Sequence, residues 1–382
     1  MWMLRNEVVS EKTCRILVTG AHGFIGKNLV IRLRELPDIV IDEYIRSDDP
    51  DTLLDRVTKA DAIVHLAGEN RPNDDSAFMN VNARLTEILC GAIRAGARPI
   101  PLIFASSIQA ELDNAYGRSK RIAEITIQKL AMEMCSPAAI FRLPGVFGKW
   151  SRPNYNSVVA TFCYNIARGL SIRIDNEIAS IDLVYIDDVV DRMLAILLRA
   201  QHSGLEYVEI EPKYTITLGD LVSQIEAFKS CRTTLLIERV GIGLARALYA
   251  TYISYLPNES FAYELPQYVD SRGIFVELLK TPDAGQFSYF TAHPGVTRGG
   301  HYHHTKTEKF LVIKGLAQFR FRHLITGELF ELITCGDKPQ VVDTIPGWAH
   351  DISNVGDVDL VVMLWASEIF DRDLTDTVAR KV

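Results

Sequence analysis

The sequence predicts two folds in series: an α/β domain built on a doubly wound parallel sheet, then an all-β barrel domain. Three observations carry this. Residues 15–145 alternate short apolar runs with stretches of helical spacing. The strand candidates among them are nearly continuous in Val, Ile and Leu, as strands covered on both faces must be. From about residue 262 the texture changes to seven short strand-like runs in about 110 residues, divided by Gly, Pro and Asn turns.

In chain order, RILVTG (15–20) is a strand, and Ile25 to Leu36 follows with apolar residues at helical spacing, ending before Pro37. DIVIDEYI, DAIVHLAG, PLIFASS and AAIFRLPG are the next strands. DTLLDRVTKA, NVNARLTEILCGAIRAG and SKRIAEITIQKLAMEM are the helices between them. Residues 146–255 break this rhythm with longer connections, as a partner lobe would. Residues 240–260 are helix-like up to Pro257, which places the domain boundary there: 15–255 for the α/β domain and 262–377 for the barrel. The barrel strands are FVELLKT, GQFSYFTA, KFLVIKG, AQFRFRHL, ELFELIT, PQVVDTI and DLVVMLWA.

Composition excludes several classes. A formal net charge of -7 argues against a general binder of nucleic acid or anionic membrane. Six cysteines without a CxxC pair read as reduced thiols rather than a disulfide framework or a cysteine metal site. No apolar run approaches the roughly 18–20 residues that span a bilayer. The stretch MWMLRNEVVSEKT has no apolar h-region, so 1–14 reads as a short extension rather than a signal peptide, and a cytoplasmic protein is expected.

Gly20, Gly23 and Gly26 form GxxGxxG directly after a strand and at the start of a helix. Glycines allow a tight turn and close backbone approach to a pyrophosphate. The helix N-terminus adds free N–H groups and partial positive charge. Arg46 follows the second strand, where its planar fork suits a ribose 2′-phosphate, so NADPH is expected rather than NADH. Tyr116 and Lys120, in YGRSK, sit one helical turn apart and can face one cleft. An ammonium beside a phenol stabilises phenolate and brings its pKa down from about 10, as acid/base work requires. Ser107 ends the fourth strand and can hydrogen-bond the same substrate oxygen. Only eight residues separate it from Tyr116, a short connection that leaves Ser106 as the fallback. His65 reads as packing and backbone positioning.

Together, TGAHGFIG, HLAG, NVNARLTEIL, SSIQA, YGRSK, FRLPGVFG and YIDDVV resemble the extended short-chain dehydrogenase/reductase family over residues 15–200 or so. That resemblance implies a Rossmann fold using NAD(P) and a catalytic set of Ser107, Tyr116 and Lys120. It implies cofactor contact for Gly20, Gly23, Gly26 and Lys120, with Phe24, Ile25, Leu66 and Ala67 beside them. Many members act on nucleotide-linked sugars. In KWSRPNYNSVVATFCYNIARG, Arg152, Asn154 and Asn156 are candidates to hold sugar hydroxyls or a diphosphate, with Tyr155 and Arg168 nearby. Much of the same stretch also reads as helix core through Val158, Phe162 and Ile166.

The barrel carries its own chemistry. The stretch from Gly295 through His301, His303 and Glu308 to Gly315 resembles the first motif of the cupin family without a gap. PGWAHDISN supplies His350, although Pro346 adjoins Gly347 directly where the family has PxG. On adjacent strands His301, His303, Glu308 and His350 would converge on a divalent metal. Zinc is the first expectation, though ligand type alone does not choose among Zn²⁺, Mn²⁺, Fe²⁺ and Ni²⁺. His304 is a weaker ligand candidate. His293 and His323 read as surface or supporting residues.

The order of both domains resembles the bifunctional reductase-epimerases of capsule and O-antigen assembly, which build UDP-N-acetyl-L-fucosamine precursors. This implies UDP-2-acetamido-2,6-dideoxy-β-L-arabino-hex-4-ulose as substrate, C3 epimerisation in the barrel, then NADPH reduction at C4 to a 6-deoxy-L-talose nucleotide sugar. Two other readings use the same residues. In one, the barrel is a metal-stabilised dimerisation or binding module beside a reductase. In the other, the chain is a nucleotide-sugar epimerase with no net redox. A homodimer is expected because cupins often pair edge strands.

Overall fold

The computed structural model describes residues 13–71, 74, 76–199, 204–370 and 376–382. The extension expected over 1–14 lies outside the described residues except for its last two, and Cys14 already opens the first strand. Two compact units divide the chain: Met1–Ile225 with Ala247–Leu256, and Glu226–Arg246 with Pro257–Val382.

The first unit is a sheet unit. Its strands are β1 (Cys14–Thr19), β2 (Ile39–Tyr44), β3 (Ala62–His65), β4 (Leu102–Ser107), β5 (Ala138–Leu143), β6 (Gly145–Phe147), β7 (Ser180–Tyr185), β8 (Leu205–Val208) and β9 (Tyr214–Thr217). Six of them form one parallel sheet in the order β2-β1-β3-β4-β5-β8. The chain leaves β1 for β2 on one side and returns to β3 on the other. That reversal opens a crevice beyond the carboxyl ends of β1 and β3, where open α/β sheets bind ligands. Consecutive residues Ile16, Leu17 and Val18, Ile63 and Val64, and Ile140 and Phe141 are fully buried. Burial of neighbours on opposite faces requires helices on both sides. Those helices include α1 (Phe24–Arg34), α2 (Leu53–Lys59), the short α3 (Ser76–Phe78), α4 (Arg84–Ala95) and α5 (Ala115–Met134). α3 reaches α4 through a π-helical turn over Met79–Ala83, a local widening often found at functional sites. The expected longer connections contain α6 (Val158–Ala167), α7 (Ile186–Leu197) and a small sheet ordered β6-β7-β9. Two further helices, α8 (Leu218–Thr234) and α9 (Gly243–Ser254), run across the division between the units.

The second unit is a barrel of two antiparallel sheets. Its strands are β10 (Gln267–Asp270), β11 (Gly273–Thr281), β12 (Gly285–Ala292), β13 (Thr297–Tyr302), β14 (Glu308–Lys314), β15 (Leu316–His323), β16 (Leu329–Cys335), β17 (Val341–Asp343), β18 (Trp348–Asn354), β19 (Leu360–Ala366) and β20 (Val378–Ala379). One sheet runs β10-β11-β12-β19-β14-β17 and the other β16-β15-β18-β13-β20. Alternate residues point inward and fill one core. Phe290, Phe310 and Val312 come from the first sheet, and Phe319, Phe321 and Ile352 from the second. Each of the seven predicted runs contains a strand, although PQVVDTI shortens to β17. Among the described residues no helix is long and apolar enough to cross a membrane. Among the described residues no cysteine forms a disulfide.

Candidate active site and candidate metal centre

The glycine turn closes against β3. Gly20 has φ +71°, and a Cβ there would lie 2.6 Å from Ala67 N, so only glycine lets the chain turn this close to Leu66 and Ala67. Gly23 caps α1 without a side-chain hydrogen bond, and no acidic residue occupies the first turn. The N–H groups of Phe24, Ile25 and Gly26 therefore have no intrahelical partner and face the crevice mouth with the positive end of the helix. A helix start of this kind can take a pyrophosphate.

Ser107 lies at the carboxyl end of β4, where its Oγ accepts from Gln109 N at 3.2 Å, and its hydroxyl stands close enough to Tyr116, near the start of α5, to act on the phenol. A compact 3₁₀ turn, Ile108–Glu111, makes the short connection possible. It packs so closely on the helix start that a Cβ at Gly117 would lie 2.2 Å from Gln109 O. Ser106, the fallback, instead bonds the buried Glu124 carboxylate, which Arg142 grips through two nitrogens. Lys120 is 5% exposed and donates to Ala105 O at 2.9 Å. Burial lowers its pKa to about 8, partly countered by Glu124.

One expectation needs correcting. The sequence reading has the Lys120 ammonium bringing the Tyr116 phenol down. In the structure burial raises the phenol, with the nearby Ser107 hydroxyl pulling the other way. Lys120 Nζ stands 6.0 Å from the Tyr116 ring centroid and gives its hydrogen bond to Ala105 instead.

Supporting residues gather here, and two of them, Asn82 and Glu69, were not singled out from sequence. Asn82, placed by the π-turn, bonds Glu69 N, Glu69 O and Ser119 Oγ. His65 is buried between Thr19 and Thr86 and stacks on Phe104. Burial, then Lys120, drives its pKa to about 3, so it packs as a neutral ring. Arg46 is 81% exposed and pairs with Glu69 at 2.7 Å, while Tyr155 donates to the other Glu69 oxygen. Arg152 lies over the Tyr155 ring, and Arg152, Asn154 and Asn156 are all exposed. Arg168 lies on the Tyr164 ring and donates to Tyr255 O, which makes it a packing residue.

In the barrel unit, β13 and β18 pair so that His301 faces His350, with ring centroids 4.7 Å apart. His303 follows the end of β13, and Glu308 opens β14. One ligand atom from each of His301, His303, Glu308 and His350 lies within 4.8 Å of the others. His303 Nε2 and His350 Nε2 approach one Glu308 oxygen at 3.3 and 3.4 Å. Those contacts bring charge together without hydrogen-bond geometry: both nitrogens and the oxygen are buried with no hydrogen-bond partner. Donors of this kind fit a cation, since bonds of about 2.0–2.2 Å around a tetrahedral ion set adjacent ligand atoms about 3.3–3.5 Å apart. Burial opposes ionisation of Glu308, but His303, His350 and Lys306 hold its carboxyl well below the usual range. Burial, then His350, lowers the His301 imidazole to about 4. Burial opposes charge on His303 as well, but Glu308 and the Asp376 main chain outweigh it and raise that imidazole. The centre is thus an ionised carboxylate among three imidazoles. His304 is exposed, His293 pairs with Asp359, and His323 bonds Thr326. Lys306, buried with Nζ 3.5 Å from Glu308 Oε1, was not singled out from sequence.

A parallel sheet with a glycine cradle and a Ser–Tyr–Lys group at its carboxyl edge defines a class of nucleotide-cofactor enzymes, and the chain belongs to the NAD dependent epimerase/dehydratase family, whose model matches residues 16–208. A polysaccharide biosynthesis C-terminal domain matches residues 268–378. More particularly, the chain is 53% identical over 368 residues to a UDP-2-acetamido-2,6-beta-L-arabino-hexul-4-ose reductase of Pseudomonas aeruginosa, covering 96% of this chain and 99% of that protein. The crystal structure of the capsular polysaccharide assembling protein CapF from Staphylococcus aureus superposes with a TM-score of 0.88 at 40% identity, covering 96% of this chain and all of that one. UDP-glucuronic acid 4-epimerase from Bacillus cereus, at 18% identity and TM-score 0.54 over 63% of this chain and 98% of that one, shares the fold alone.

Proposed function

We propose that this chain reduces C4 of UDP-2-acetamido-2,6-dideoxy-β-L-arabino-hex-4-ulose with NADPH, after C3 epimerisation in the barrel, giving a 6-deoxy-L-talose nucleotide sugar. The observation that carries the reading is the grouping of Ser107, at the carboxyl end of β4, with the Tyr116 phenol and the buried Lys120 ammonium in a chain related end to end to a reductase of that ketosugar.

When bound, NADPH supplies the hydride that adds to C4. The N–H groups at the start of α1 would hold its pyrophosphate, and Arg46 would pair with its 2′-phosphate. Tyr116 gives its phenolic proton to the C4 oxygen as charge develops there, and Ser107 orients that oxygen. A phenol held above its usual range is a proton donor at neutral pH, which suits reduction. The buried Lys120 ammonium then offsets the charge left on the phenolate. Arg152, Asn154 and Asn156 line the approach of the nucleotide sugar.

Chemistry fixes the order of the two steps. A C4 ketone acidifies the C3 hydrogen because the resulting anion delocalises onto oxygen, and that acidity vanishes once C4 is reduced. His301, His303, Glu308 and His350 would hold a divalent metal, which supplies a Lewis acid where negative charge develops.

The test is NADPH consumption with the ketosugar, with product stereochemistry at C3 and C4 read by NMR. Stoichiometric oxidation with inversion at C3 is expected. Oxidation without inversion reduces the proposal to a reductase, and no oxidation removes it.

A further inference from the structure

The proposed ligands His303 and Glu308 are separated by a segment, 304–307, that belongs to no strand. One residue from the far end of the chain holds it. Asp376 Oδ1 accepts from His304 N at 2.9 Å. Its Oδ2 accepts from Thr305 N and Lys306 N, each at 2.8 Å, and from Thr305 Oγ1 at 3.1 Å. Its main-chain oxygen accepts from His303 Nδ1 at 2.8 Å. Immediately beyond, β20 pairs with β13, setting Ala379 opposite His301 and Val378 opposite Tyr302, and Arg380 N donates to Gly300 O. The other anchors sit at the two ends of the segment: Gly347 N donates to His303 O, Thr307 N donates to Ser367 Oγ and its carbonyl accepts from Ser367 N, and Glu308 exchanges two bonds with Thr344.

We propose that Asp376 is the positioning residue of the barrel's metal centre, a C-terminal clasp that sets the ring orientation of His303 and the span from His303 to Glu308. The inference rests on reading the His301, His303, Glu308 and His350 cluster as a metal centre. Two physical effects carry it. A carbonyl can only accept, so the His303–Asp376 hydrogen bond requires a proton on Nδ1, and in the neutral ring that binds a metal this leaves the lone pair on Nε2. That is the nitrogen lying 3.3 Å from the Glu308 oxygen and lacking a hydrogen-bond partner. Three successive backbone N–H groups converging on one carboxylate also form an anion nest, which fixes the backbone between the two ligands before any ion arrives. Partners that orient a ligand in this way change metal affinity by about 10–100-fold when removed.

The experiment uses the full chain, stripped of metal and titrated with zinc against a chromophoric chelator, with a parallel Co²⁺ titration read by visible absorption. His303→Ala sets the signature of a lost ligand. Asp376→Ala is expected to weaken zinc by about 10–100-fold and to alter the Co²⁺ bands. Asp376→Asn, which keeps one oxygen for the three bonds now made by Oδ2, should recover most of that loss. In the unsubstituted apo chain, long-range ¹H–¹⁵N spectra should show His303 as the Nδ1–H tautomer. If the unsubstituted chain binds zinc and Asp376→Ala matches it in affinity and Co²⁺ spectrum, the clasp is refuted while the metal centre stands. If the unsubstituted chain binds no zinc, the metal-centre reading fails and the clasp falls with it. Should Asp376→Ala not fold, the tautomer decides, and an Nε2–H ring overturns the proposal.

Discussion

Gly26→Ala tests the cofactor cradle most directly. A Cβ at Gly26 would lie 2.3 Å from Gly20 O, 2.6 Å from Ala21 O and 2.8 Å from Ala21 C. All three are backbone atoms of the turn itself, so no side chain can swing aside. Ordinary C···O contact begins near 3.3 Å, so α1 must recede by about 1 Å. Its buried face, Leu29, Val30 and Leu33, would then lift from the sheet. Overpacking of this kind costs about 1–3 kcal/mol, and rigid neighbours favour the upper end. At about 2–4 °C per kcal/mol for a domain of this size, melting should fall by about 6–12 °C. The receding N–H groups would each lose a charge-assisted hydrogen bond worth about 1.5–3 kcal/mol. Losing one weakens NADPH by about 10–100-fold. Gly23→Ala is the control: its φ is -71° and its only close contact is Gly20 O at 3.1 Å, so folding should be nearly unaffected. Differential scanning fluorimetry without cofactor and NADPH fluorescence titration read the two effects separately. A Gly26→Ala protein that melts with the unsubstituted chain and binds NADPH equally well would refute the reasoning.

Three further outcomes follow from the same geometry. Tyr116→Phe should cut NADPH oxidation by about 10²–10⁴-fold while solvent deuterium still enters C3, read by NMR; loss of both would detach exchange from the barrel. Because burial lowers Lys120 to about 8, the charge that offsets the phenolate disappears as pH rises. The kcat/KM for reduction should therefore be level below pH 8 and fall above it, and a profile flat to pH 9.5 would contradict that role. Glu124→Ala strands the Arg142 guanidinium and Ser106. The cost should be about 3 kcal/mol, the low end for a broken buried pair, because Arg142 is 31% exposed and keeps Glu111. Thermal unfolding checks it, and an unmoved melting temperature would show the network to be dispensable.

Much of this was legible because periodicity and punctuation are local. Val/Ile/Leu strands, the glycine turn and the alternating barrel strands announce themselves within about ten residues. Ser107 looked doubtful from loop length alone. The missing clue was Gly117, whose bare Cα lets the 3₁₀ turn press against the helix start. The pairing of His301 with His350 followed from motif spacing despite the displaced Pro346. Asp376 and Glu69 were invisible for a different reason: each acts on residues dozens of positions away, and an isolated acidic side chain carries no periodic signal. The direction of the Tyr116 shift was misjudged because sequence reports which charges are nearby but not how deeply the phenol is buried.

The chain crosses between its two units three times, at 225/226, 246/247 and 256/257, and the first two crossings fall inside α8 and α9. Modular surgery is therefore constrained. A graft that exchanged barrels between relatives at Pro257 alone would leave 226–246 behind, mismatching a segment that makes its contacts with the incoming piece. Recombination that swaps such halves as simple cassettes should yield poorly folding hybrids, so the two activities proposed here are bound to be inherited together.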